Sequence, residues 1–207
     1  MGYHGYQSGE KSGGDLLTDW WTIIATGPSL TRKDVDALRG VGTTIAVNCG
    51  VFYAPWADVC YAADHIWWKH YGPKIEWFKG VRVSRNFHSK TIVKWRGKGW
   101  KRTGGNSGHL AIQYAADHGA TNIALIGFDQ QLTHGNAHCH ADHPKQAKGK
   151  NTSLGNANGV GAWPRSMNLT SLELKERGIR VVNLSRITAL KCFPQITTER
   201  FLEEKWA

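Results

Sequence analysis

The chain of 207 residues has only four cysteines, Cys49, Cys60, Cys139 and Cys192, and no CxxC pair. Their wide spacing excludes a disulfide scaffold and a zinc ribbon, and reduced thiols are the expectation. No run approaches the roughly 18 to 20 uninterrupted apolar residues that a membrane-spanning helix needs. Residues 1–19 are Gly-rich and polar, without the basic-then-apolar order of a secretion signal. These absences point to a cytoplasmic protein with no membrane partner. Neither a Walker A loop nor GxGxxG is present, and no internal repeat appears.

Acidic residues are almost missing from one segment. Residues 65–102 hold eleven lysines and arginines against Glu76 alone, which accounts for the whole net charge of +10. The rest of the chain is electrically balanced, so the basicity is a local device for an anionic partner and not a property of the fold. Five of the ten tryptophans, Trp67, Trp68, Trp77, Trp95 and Trp100, fall in the same segment.

What is present suits one packed body. Apolar residues make up 41% of the chain, which excludes wholesale disorder. A Gly-rich leader at 1–19 would precede a single domain at 20–207. Short apolar runs at 22–26, 43–48, 58–64, 81–84, 122–126 and 180–184 read as strands. Helices are expected after Thr31, which with Asp34 makes a capping pair, and at 66–71, 107–118 and 164–177, the last two stopped by Gly119 and Gly178. Two stretches lack periodicity: a basic, Trp-rich insertion at 86–104 and a His-rich loop at 130–162. Strands that are apolar throughout, alternating with helices, predict an α/β fold of the Rossmann-like (GT-A-like) kind, a doubly wound, mostly parallel sheet with long inserted loops.

In such sheets ligands bind beyond the carboxyl ends of the strands. Successive predicted strand ends carry Gly27, Pro28 and Ser29, then Asn48, Asp64 and Asp129. Gly105, Asn106, Ser107 and Gly108 open the helix at 107, where glycines allow close approach and free N–H groups attract phosphate. An ordinary helix cap by Asn106 or Ser107 is compatible with that role.

His134, His138, His140 and His143 are four of the ten histidines within ten residues. One of them could serve as a base near neutral pH. Alternatively His138, His140 and His143 with Asp142 could hold a divalent metal. Cys139 reads as a bystander, since little nearby would lower its pKa. Finally, Lys94, Arg96, Lys98, Lys101 and Arg102 interleave with Trp95 and Trp100, as cations for phosphates and rings for bases do in nucleic-acid or anion contacts. A charged loop with its tryptophans tucked beneath it is the competing reading.

In chain order, Ile24-Ala25-Thr26-Gly27-Pro28-Ser29-Leu30, Asn48 with Phe52-Tyr53, Asn106-Ser107-Gly108 and Ile126-Gly127-Phe128-Asp129 resemble motifs of small Rossmann-like bacterial sialyltransferases. The related flagellin-modification and pterin-pyrophosphokinase-like proteins are similar too. Uncharacterised tailed-phage proteins of the norphogenetic type resemble the chain more fully, over residues 22–196. They share the Gly-Pro-Ser-Leu turn, Ala54-Pro55-Trp56-Ala57-Asp58, the helix start, Gly-Phe-Asp, the loop through Asp142-His143-Pro144 and a stretch at 183–194. This resemblance implies a nucleotide-type donor, a cytidine nucleotide above all, contacted by Gly27, Ser29, Asn48, Ser107 and Gly108. It also implies a histidine base, falling among the four of the His-rich loop, and no requirement for metal. The resulting expectation is a phage-encoded nucleotide- or nucleotide-sugar-binding protein of the host cytoplasm, a transferase of the glycosyltransferase-like kind. Its rivals are a protein that binds or modifies nucleic acid, a non-catalytic nucleotide-binding module, and a metal hydrolase built on the histidines and Asp142.

Overall fold

Seven short strands form one sheet: β1 Trp20–Ile24, β2 Thr43–Val47, β3 Val59–Tyr61, β4 Val81–Ser84, β5 Val93–Lys94, β6 Asn122–Ile126 and β7 Arg180–Asn183. The computed structural model describes residues 19–97, 99–101, 105–141, 144 and 162–204. Every strand pairing is parallel, in the order β5-β4-β3-β2-β1-β6-β7. Among the described residues the α-helices are α1 Arg32–Ala37, α2 His65–Tyr71, α3 Ser107–Asp117, α4 Ala162–Glu176 and α5 Thr198–Glu203.

Alternation along each strand sorts the core into two layers. Ile24, Ala46, Cys60, Ala124 and Val182 lie on one face with Val35 and Leu38 of the α1 region, Trp67 and Trp68 of α2 and Phe201 of α5. Their neighbours Ile23, Ile45, Val59, Ile123 and Val181 lie on the other with Leu110 and Ala115 of α3 and Met167 and Leu174 of α4. Both sheet faces are covered, which is why the strands read as continuous apolar runs. The expected doubly wound, Rossmann-like α/β fold is the observed one.

Helix starts follow local chemistry. Thr31 Oγ1 accepts from the Asp34 N–H at 3.2 Å and donates to Asp34 Oδ2 at 2.6 Å. Asn106 Oδ1 accepts from the His109 N–H at 2.9 Å.

Two elements differ from the sequence reading. The segment at 86–104, expected to be irregular, carries β5, paired Val83 to Val93 and Ser84 to Lys94 after a tight turn at 89–92. A two-residue edge strand with both side chains exposed offers no apolar pattern. The C-terminal helix α5, capped by Thr197 Oγ1, also has no counterpart among the expected elements. The leader at 1–19, apart from Asp19, and most of the His-rich loop past 141 lie outside the described residues. Among the described residues no helix is long and apolar enough to cross a membrane.

From β1 the chain moves outward through β2, β3 and β4 to β5, then returns over α3 to place β6 on the opposite side of β1. The strand order therefore reverses at β1, and the carboxyl ends of β1 and β6 flank a topological switch point.

Candidate functional site

A cleft opens at that switch point. Gly27 and Pro28 after β1, Asn48 after β2 and Asp129 after β6 line it, and Asn106, Ser107 and Gly108 close it from the start of α3. Ser29 stands directly behind, bonded to Asp129. Asp64 and Gly105 line an adjoining cleft instead, and Asn106 borders both. The volume of the first cleft, about 170 Å³, is below the roughly 300–1,000 Å³ of pockets that enclose drug-sized ligands.

Close backbone approach shapes its floor. The Gly27 N–H donates to Gly127 O at 2.8 Å, so the β1 and β6 exits run on as one ladder. A Cβ on Gly27 would lie 2.2 Å from Asp129 Oδ1 and 2.5 Å from Gly127 O, so no side chain fits. Gly127 holds φ +72°, and a Cβ there would meet Ala25 O at 2.5 Å. Asp129 is buried, and its two oxygens accept from the Ser29 N–H at 2.7 Å and the Ser29 hydroxyl at 2.9 Å. Burial pushes the Asp129 carboxyl up from its ordinary value, against the opposing effect of the Ser29 bonds.

The start of α3 is held just as firmly. Ser107 Oγ accepts from the Ala63 N–H at 3.1 Å, tying α3 to the end of β3. A Cβ on Gly108 would come within 3.0 Å of the Phe128 ring. The side chains of Asn106 and Ser107 are thus engaged in structure, and the first-turn N–H groups of Ser107 and Gly108 are what the helix end offers a ligand. Asn48 adopts φ +50°, a left-handed conformation that asparagine tolerates better than most residues.

The histidines separate. His138 lines the cleft, its Nδ1 3.5 Å from Thr26 Oγ1. Its segment is secured by the Cys139 N–H donating to Thr26 O at 3.0 Å and by the Tyr53 hydroxyl donating to Cys139 O at 3.3 Å. His140 stacks on His138 with ring centroids 5.0 Å apart and planes 5° from parallel. His134 is exposed at the tip of a two-residue turn, with φ +51° followed by +78° at Gly135, closed by mutual backbone bonds between Thr133 and Asn136. It does not line the cleft. His143 and Asp142 lie outside the described residues, among which no group of three His, Cys, Asp or Glu side chains is placed to hold a metal. Burial pushes the Cys139 thiol up, which suits a bystander and not a nucleophile.

Gln130 escaped the sequence reading, although it directly follows the Gly-Phe-Asp motif. It lines the cleft at φ +52°, with Oε1 shielded from water and without a hydrogen-bond partner among the described residues.

The basic aromatic segment divides as well. Trp95 packs edge-on against Tyr61 and Tyr114, with centroids 6.0 and 5.5 Å away. Trp100 donates to Asp117 Oδ1 at 3.0 Å and lies under the Arg177 guanidinium at 3.9 Å. Lys101 pairs with Glu176 at 2.6 Å. Both rings are therefore engaged in packing rather than offered to bases. Lys94 and Arg96 are exposed, and Lys98 and Arg102 lie outside the described residues.

No protein-family model, curated protein or solved structure matches the chain. The class that fold and cleft define is an α/β protein with a doubly wound parallel sheet and a concave site at its switch point.

Proposed function

We propose that the chain binds a nucleotide or nucleotide-sugar in the switch-point cleft and transfers a group from it to an acceptor hydroxyl. The observation that carries this reading is the meeting of the Gly27 turn, the α3 N-terminus and His138 in one cleft. Among the described residues the cleft lining contains neither lysine nor arginine, so a phosphate there would rely on backbone N–H groups and the helix dipole. That arrangement and the small volume favour a single phosphate over a diphosphate. The motif resemblance to sialyltransferases supports a cytidine monophosphate-type donor, and the resemblance to tailed-phage proteins supports a phage-encoded chain.

In this reading His138 takes the proton of the acceptor hydroxyl as its oxygen attacks the donor carbon. The bond from that carbon to the phosphate oxygen breaks, and its electron pair leaves on the phosphate, stabilised by the Ser107 and Gly108 N–H groups.

Calorimetry against cytidine, uridine and guanosine nucleotides and nucleotide-sugars tests the binding step. Asn48→Asp puts a negative charge at the cleft while keeping a residue that tolerates φ +50°, and should weaken binding about tenfold or more, about 1.4 kcal/mol. His138→Gln should retain binding and lose transfer, followed by mass spectrometry of the acceptor. Absence of binding across the panel, or unchanged affinity in Asn48→Asp, would refute the assignment.

A further inference from the structure

Several cations of the basic segment have evident local roles. Arg82 donates to the carbonyls of Ile75 at 3.1 Å and Phe78 at 2.8 Å. Lys74 Nζ lies 2.8 Å from His70 Nε2 and over the Tyr71 ring. Lys101 is paired with Glu176.

Arg85, Lys94 and Arg96 are used differently. Arg85 follows β4, and Lys94 closes β5, in register with Ser84. The Trp95 N–H donates to Ser84 O at 2.9 Å, and its ring turns into the Tyr61 and Tyr114 cluster. Extended chain alternates its side chains, so anchoring Trp95 inward sends Lys94 and Arg96 to the other side. There they line one open cleft with Arg85 and Asn86. None of the three cations forms an ion pair with a carboxylate among the described residues.

This cleft is continuous with others. Arg85 and Asn86 also line the neighbouring cleft with Asp64, Gly105 and Asn106, and Asn106 borders the nucleotide cleft. Shared walls make a track along the carboxyl edge of the sheet, interrupted by the Asp64 carboxylate. Arg85, Lys94 and Arg96, gathered in one cleft that no described carboxylate lines, repel one another, and phosphates seated between them relieve that cost.

We infer that this track binds the phosphodiester backbone of nucleic acid. An open run of cations suits successive phosphates, whereas a single phosphate would call for an enclosed cradle. With Trp95 and Trp100 packed inward, neither tryptophan offers a stacking platform beside the cations, so recognition is through the backbone and tolerant of sequence. The inference stands independently of the group-transfer reading.

Fluorescence anisotropy of the full chain with a labelled oligothymidylate, across a series of salt concentrations, tests it. The parent should bind with an affinity that falls steeply with salt. In Arg85→Ala/Lys94→Ala/Arg96→Ala the slope of log K against log salt should drop by about 2, roughly 0.7 for each lost phosphate contact, and binding should weaken at least about tenfold. Lys33→Ala/Arg39→Ala/Lys175→Ala removes the same charge from exposed positions elsewhere and should keep the parental slope. Because Arg85 is half-buried, Lys94→Glu/Arg96→Glu provides a variant altered only at exposed positions. It should weaken binding more than Lys33→Glu/Arg39→Glu. Absent binding by the parent, equal losses in the paired variants, or displacement by inorganic phosphate at matched ionic strength would overturn the inference. Nucleotide calorimetry on the Ala variant should match the parent, which separates this outcome from failure of the transfer reading.

Discussion

Asp129 clasps Ser29 with both carboxylate oxygens, one on the backbone N–H at 2.7 Å and one on the hydroxyl at 2.9 Å. The exit of β6 thereby holds the exit of β1, a hundred residues earlier. The segment after β7 joins the same knot: the Ile187 N–H donates to Ser29 Oγ at 3.3 Å and the Ala189 N–H to Asp129 O at 2.8 Å. One serine and one aspartate thus tie together the segments after β1, β6 and β7, the first two of which line the cleft.

Ser29→Ala removes the hydroxyl bonds but keeps the backbone one, and should cost about 1–2 kcal/mol. Asp129→Ala also strands the Ser29 N–H and should cost about 2–3 kcal/mol. Urea unfolding of both single variants and the double variant should give a coupling energy above about 0.5 kcal/mol. Additive losses would show that the clasp does not act as a unit.

Gly27→Ala forces a Cβ to within 2.2 Å of Asp129 Oδ1, and overpacking of this kind costs about 1–3 kcal/mol. Gly105→Ala, whose Cβ would meet no heavy atom within 4 Å, should stay within about 0.5 kcal/mol of the parent. Thermal melts of the pair separate the steric demand at Gly27 from a general intolerance of glycine replacement near the carboxyl edge of the sheet.

Asp34 and Asp129 should respond to pH in opposite senses. Burial pushes the Asp34 carboxyl up, but hydrogen bonds from Arg186 and Thr31 and the charges of Arg186 and Lys33 outweigh it, leaving the pKa below its ordinary value. Its contribution to stability is therefore present above the unfolded value, roughly 3.9, and lost as pH falls through the folded one. The stability gap between the parent and Asp34→Asn should narrow as pH drops below about 4. For Asp129 burial dominates and the pKa is raised. Its contribution is present below the unfolded value and lost as pH rises through the folded one, so parent stability relative to Asp129→Asn should improve on acidification. Guanidinium melts across a pH series check both signs.

Trp100→Phe removes the bond to Asp117 and weakens the stack under Arg177, at a cost of about 1 kcal/mol. Amide exchange at 99–101 should accelerate. Trp95→Ala should cost about 3 kcal/mol and, by releasing the backbone between Lys94 and Arg96, lower the salt slope for oligothymidylate without touching either cation.

Local chemistry was enough for much of this molecule. Apolar runs flanked by turn residues marked six of the seven strands, and Thr31 and Asn106 marked helix starts, because capping and strand burial depend on residues a few positions apart. The same locality made Gly27, Asn48, Ser107 and Asp129 recognisable as strand-end and helix-start residues. Packing between distant segments settled the rest. β5 is a strand because Ser84 and Val83 offer it an edge, not because Val93 and Lys94 have a periodic pattern. Asp64 and Gly105 fell into the neighbouring cleft, His134 went to a turn tip while His138 reached the cleft, and Trp95 turned inward, leaving Arg85, Lys94 and Arg96 together. Each of these outcomes turns on which partner a side chain meets across the sheet, and that pairing arises only when strands far apart in the chain are brought side by side.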